Sequence, residues 1–79
     1  MTLNELSAVL RKMYENAPRG EQVTMIHLFG IRYADEIRSS GYSPKDILLA
    51  AQITPNHQNQ LNSGIRLARY VTERNTGLI

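Results

Sequence analysis

Between Thr54 and Arg69 the chain gathers side chains able to read a polar partner. Thr54, Asn56, His57, Asn59 and Gln60 lie close together, and Arg66 and Arg69 follow. Asparagine and glutamine amides carry a donor beside an acceptor, which matches the major-groove edge of adenine. Arginine forks pair with phosphate oxygens. Lys45, some way upstream, is a further candidate phosphate contact. The plainer reading of the same residues is a solvated helix face. A polar first turn is common, arginines spaced a turn apart also serve solubility, and a lone lysine is usually plain surface.

Other chemistry finds little support. His27 and His57 are the two histidines, there is no cysteine, and no histidine–carboxylate spacing suggests a metal site. His27 is expected to be half-buried and unliganded. Asp35 and Glu36 are neighbours and cannot face one another on a helix. Gly30, Gly41 and Gly64 are isolated, so no phosphate-cradling loop is present. The residues therefore predict neither catalysis nor a cofactor.

The charge pattern points the same way. In residues 1–52, Arg11, Lys12, Arg19, Arg32, Arg38 and Lys45 balance Glu5, Glu15, Glu21, Asp35, Glu36 and Asp46. In residues 53–79, Arg66, Arg69 and Arg74 face Glu73 alone, so the whole net charge of +2 falls in the last third. Glu73 would offset part of it. With 79 residues and 42% apolar composition, the chain is expected to be one ordered domain over 1–79, with a thin stability margin that dimerisation would improve. Absence of cysteine fits a reducing cytoplasm. No run is long and apolar enough for a membrane span, and the N-terminus does not read as a signal peptide.

The elements that must position these residues are helices. Leu3, Leu6, Leu10 and Met13 mark one face of a first helix over about 3–16, with Thr2 and Glu5 spaced as a capping box. Ile26, Phe29, Tyr33 and Ile37 predict a second helix over about 22–39, capped by Gly41. Gly30 within it implies either a close helix approach or a break at Phe29–Ile31. Ser43, Pro44 and Asp46 mark the start of a third helix reaching Gln52, with Tyr42 and Ile47 spaced as a hydrophobic staple. A fourth begins at Pro55 behind Thr54 and extends towards Arg74, burying Leu61, Ile65, Ala68 and Val71, with Gly64 a candidate thin point. The tail from Asn75 to Ile79 is expected to fray. Without period-two alternation no strand is predicted. The fold class is all-α, a compact four-helix domain.

Two of these helices meet across a short turn, as in a helix-turn-helix. Ile47 and Ala50 or Ala51 would face inward, Ile53 would plug the turn, and Leu61 would anchor the second helix. The stretch DILLAAQITPNHQNQLNSG resembles the helix-turn-helix of small bacterial and phage repressors of the Cro type. It covers about residues 43–64. The resemblance implies an all-α, often dimeric, DNA-binding domain. It matches Ile47, Leu48, Ile53 and Leu61 to core sites and Thr54 to the opening of the recognition helix. It places Asn56, His57, Asn59 and Gln60 at outward contacts. Gln52 stands where that group usually has glycine, and Gln58 where it usually has an apolar residue. A weaker alternative uses Phe29–Ile31 as the turn and RYADEIRSS as the recognition helix, which would set Asp35 and Glu36 against phosphate.

Two functions follow from these readings. The first is double-stranded DNA binding, as a small transcriptional regulator or targeting module: Asn56, His57, Asn59 and Gln60 would enter the major groove while Lys45, Arg66 and Arg69 hold phosphates. The second is protein interaction or homodimerisation on the same scaffold, suggested by low net charge and by Leu28, Ile31 and Leu67 off the inner helix faces. The aromatic residues are expected mostly in the core rather than on a stacking platform.

Overall fold

The computed structural model describes residues 1–74. They form α1 (Leu3–Glu15), α2 (Gln22–Arg32), α3 (Ala34–Ser40), α4 (Pro44–Ala50), a 3-10 turn (Pro55–His57) and α5 (Gln58–Leu67), with no strand among them. The tail from Asn75 onward lies outside the described residues.

Local chemistry sets the best-marked helix ends. Thr2 and Glu5 close the capping box at α1: the Glu5 N–H donates to Thr2 Oγ1 at 3.1 Å and the Thr2 N–H to Glu5 Oε1 at 2.8 Å. The bond from the Thr2 N–H holds the Glu5 carboxyl below its ordinary pKa. Ser43 and Asp46 build the same reciprocal pair at α4, with Pro44 at the first helical position. Gly41 ends α3 in the left-handed region at φ 78°.

The core is continuous. Leu6 and Leu10 from α1, Ile26 and Phe29 from α2, Ile37 from α3, Ile47 and Leu48 from α4, Ile53 from the turn and Leu61 from α5 are all buried. Leu3, Val9, Met13, Tyr14, Tyr33 and Ile65 pack around them.

Three of the four expected helices differ in extent from the sequence expectation. The predicted second helix is two helices, and the break falls at Tyr33, not at Phe29–Ile31. An uninterrupted helix over 22–39 would be about 27 Å long, close to the 30 Å longest dimension of the molecule. The break lets α3 return towards α5, where Arg38 Nη2 donates to the Ile65 carbonyl at 3.1 Å. Because α2 runs straight through Phe29–Gly30–Ile31, the alternative helix-turn-helix is not formed. The third helix ends at Ala50, short of Gln52, and α5 starts later and stops earlier than expected. Beyond a turn at Ala68–Tyr70, residues 71–74 run without helix, and Val71 is exposed rather than buried. Arg32 of α2 holds this segment through Glu73, with Nε donating to Oε1 at 2.6 Å and Nη2 paired with Oε2.

Gly30 marks a close approach and Gly64 does not thin its helix. α2 and α5 make the most extensive contact in the fold, and the two glycines face each other there. A Cβ on Gly30 would meet the Ile65 nitrogen and the Leu61 carbonyl, both at 2.9 Å; one on Gly64 would collide with the His27 carbonyl oxygen.

Candidate nucleic-acid interface

The link between α4 and α5 is built by a Schellman cap. The Ile53 N–H donates to the Leu48 carbonyl at 2.9 Å and the Gln52 N–H to the Leu49 carbonyl at 3.0 Å. Leu48 and Ile53, the apolar pair that accompanies this motif, are both buried. The geometry requires a left-handed residue between them, and Gln52 takes it at φ 61°, the only non-glycine residue with positive φ among those described. This is a conformation that glycine enters without cost, and Gln52 enters it with a side chain.

A second contact braces that turn from a distance. Arg11 of α1 donates from Nη1 to the carbonyls of Ala51 and Gln52, each at 3.2 Å, while Nη2 pairs with Glu15 at 3.1 Å. No local signal in the sequence announces this bond, since forty residues separate Arg11 from Ala51.

After the turn, Thr54 caps the 3-10 segment, its hydroxyl accepting from the Asn56 N–H at 3.4 Å. Asn56 and Asn59 are exposed. His57 is half-buried, its ring centroid 6.4 Å from that of Tyr14 on α1. Gln60 is also half-buried, and its Oε1 is enclosed with no donor among the described residues. His57 and Gln60 therefore do not project freely with Asn56 and Asn59, as the sequence suggested. Gln58 is half-buried at the first position of α5. A polar residue is tolerated there because the core anchors of α5 come later, at Leu61 and Gly64.

The outward side of α5 adds Asn62 and Ser63 to the candidates Asn59 and Arg66 named from the sequence. Asn59, Asn62, Ser63 and Arg66 follow i, i+3, i+4, i+7 spacing and so share a stripe about 10 Å long. Asn59 and Arg66 are exposed, Asn62 and Ser63 half-buried. The spacing was present in the sequence and holds for a helix starting at Pro55 as well as at Gln58. Arg69 is exposed but lies past the helix end, in the turn beyond Leu67. Asn62 also lines a groove of about 400 Å³ with Ser43 and Pro44, so the exposed Lys45 at the start of α4 stands near the α5 stripe.

Electrostatics separates the two halves of the chain. Arg11, Arg32 and Arg38 are paired with Glu15, Glu73 and Asp35. Among the described residues Lys45, Arg66 and Arg69 form no salt bridge. Glu73, expected to offset Arg66 and Arg69, is held instead by Arg32, whose hydrogen bonds and charge lower the Glu73 pKa. His27 is half-buried, and among the described residues no group of histidine and carboxylate side chains is placed to hold a metal.

Five short helices with this left-handed link between α4 and α5 define a domain of the helix-turn-helix class. The chain belongs to the family of HTH-like domains, whose family model matches residues 2–74. No curated protein and no solved structure matches it. Among the described residues no helix is long and apolar enough to cross a membrane.

Proposed function

We propose that the chain is a double-stranded DNA-binding module, a small regulator or targeting domain rather than an enzyme, that lays α5 against the major groove. The observation that carries this reading is the outward stripe Asn59–Asn62–Ser63–Arg66, flanked by Lys45 and Arg69, which have no carboxylate partner among the described residues. Amide side chains on such a stripe supply the donor and acceptor pairs that base edges require. The cations supply sequence-independent attachment to phosphate. The family and the likeness of residues 43–64 to Cro-type repressors support the same use of the fold. Asn56 remains a base contact in this reading, with Thr54 at the mouth of the turn. His57 and Gln60 become supports for α5 rather than readers.

The test is fluorescence anisotropy with a random-sequence duplex over a salt series. Affinity should fall steeply as salt rises. Arg66→Ala with Arg69→Ala should weaken binding and reduce the slope of log K against log salt by about 1.8, at ~0.9 for each phosphate no longer neutralised. Absence of binding at low salt would sink the DNA reading.

A second reading, docking of a protein partner or a second copy, is favoured by one observation. Leu67 and Tyr70, at and just beyond the end of α5, are 43% and 81% exposed and line one shallow groove. Leu28 and Ile31 are half-buried and contribute less. Sedimentation of the free protein distinguishes the two, because self-association through this groove would be concentration-dependent and abolished by Tyr70→Ser plus Leu67→Ser.

A further inference from the structure

Gln52 occupies a left-handed conformation that a residue with a Cβ enters at a cost. Such a conformation persists only where its surroundings over-determine it. Two sets of contacts do so here. The first is the Schellman pair on the N–H side, from Gln52 to Leu49 and from Ile53 to Leu48. The second is the Arg11 guanidinium on the carbonyl side, where Nη1 bridges Ala51 and Gln52 while Glu15 fixes the other arm. The N–H contacts belong to any helix end of this type. The carbonyl contacts are no part of that motif and come from α1, in a turn that lacks the glycine that would make them unnecessary.

We infer that Arg11 is a positioning residue for the proposed DNA-binding surface: it locks the left-handed turn at Gln52 and thereby fixes how α5 departs from α4. A single nitrogen satisfies two successive carbonyls of the turn, so their direction is set from α1, an element outside the helix-turn-helix. Removing the clamp frees Gln52 to leave the left-handed region. The bond from the Ile53 N–H to Leu48 depends on that region and opens with it. Gln52→Gly removes the conformational cost and makes the clamp dispensable.

The consequence for DNA rests on the proposed reading, whereas the consequence for the turn does not, and the experiment separates them. Amide hydrogen exchange is measured on the free protein as wild type, as Arg11→Met, and as Arg11→Met combined with Gln52→Gly. Arg11→Met should speed exchange at the Ile53 amide about tenfold or more, beyond any change at core amides such as those of Phe29 and Leu61. Adding Gln52→Gly should restore protection. Unchanged protection at Ile53, or a loss shared equally by the core amides, overturns the inference. The same proteins are then titrated with the random-sequence duplex at a temperature where all are folded. Arg11→Met should weaken binding several-fold without changing the salt slope, and Gln52→Gly should recover it. A slope reduced by about 0.9 would mean that Arg11 itself sits on phosphate, which also overturns a positioning role. If wild type binds no duplex, the DNA reading falls while the Ile53 exchange still decides the turn.

Discussion

Two places in this small domain ask for glycine, and the chain answers them differently. At the crossing of α2 and α5, Gly30 and Gly64 are both present, and each faces backbone atoms of the other helix. At the turn between α4 and α5 the backbone is left-handed, yet the residue is Gln52. The difference lies in what a side chain would meet. At the crossing a Cβ has nowhere to go, because its neighbours are main-chain atoms of a packed helix. At the turn the cost is conformational and local, and outside contacts such as the Arg11 clamp can offset it. Steric demand fixes the residue type, whereas torsional demand leaves room for compensation.

That contrast yields opposite signs for two substitutions. Gly64→Ala should be the most damaging, because the collision with the His27 carbonyl oxygen can be relieved only by separating α2 from α5. A loss of about 3 kcal/mol is expected from such overpacking, against a total on the order of 4–12 kcal/mol for a chain of this length. Thermal denaturation should show a much lower Tm or no cooperative transition, and a wild-type Tm would mean that the crossing is loose. Gly30→Ala should act in the same direction but less severely, since its neighbours stand at 2.9 to 3.0 Å.

Gln52→Gly should instead stabilise the protein by about 1 kcal/mol, the left-handed cost relieved less the added freedom of the unfolded chain. In a domain this size that raises Tm by roughly 4–8 °C. A fall in Tm would erase the distinction between the two sites. The cap at Ser43 offers a control outside both: Ser43→Ala removes the acceptor for the Asp46 N–H and should cost about 1 kcal/mol in chemical denaturation.

The smallest effect concerns the ion pair that ties residues 71–74 to α2. Hydrogen bonds from Arg32, and then its charge, lower the Glu73 pKa from the ordinary 4.5. A depressed carboxylate contributes its stability fully above about pH 4.5 and loses it as pH falls through the lowered value. Glu73→Gln should therefore be slightly less stable than wild type at neutral pH, by under about 1 kcal/mol given the solvent around the pair. The two proteins should converge as the solution is acidified. A difference that persists in strong acid would assign the effect to packing rather than charge.

Much of the fold was legible because its signals are short-range. Thr2 with Glu5, Ser43 with Pro44 and Asp46, and Gly41 each act within a turn of their own position, and the structure places helix ends where they stand. The apolar spacing of Leu6, Leu10, Ile26, Phe29, Ile47 and Leu61 likewise named the core. The candidate surface was only half legible. Lys45, Thr54, Asn56, Asn59, Arg66 and Arg69 are all exposed. His57 and Gln60 are half-buried because each lies one turn before a buried position of α5, Leu61 and Gly64 respectively.

The sequence by itself determined an all-helical chain, where most of its helices begin, the left-handed cap at Gly41, and most of the buried core, though not the exposure of Val71. Each of these depends on neighbours within a few positions. Only the tertiary structure decided that the second helix breaks at Tyr33, that Glu73 is spent on Arg32 rather than on Arg66 or Arg69, and that Gly30 meets Gly64. It also decided that Arg11 holds the turn at Gln52. These contacts join residues about thirty to forty positions apart, so their partners are chosen by how the helices pack.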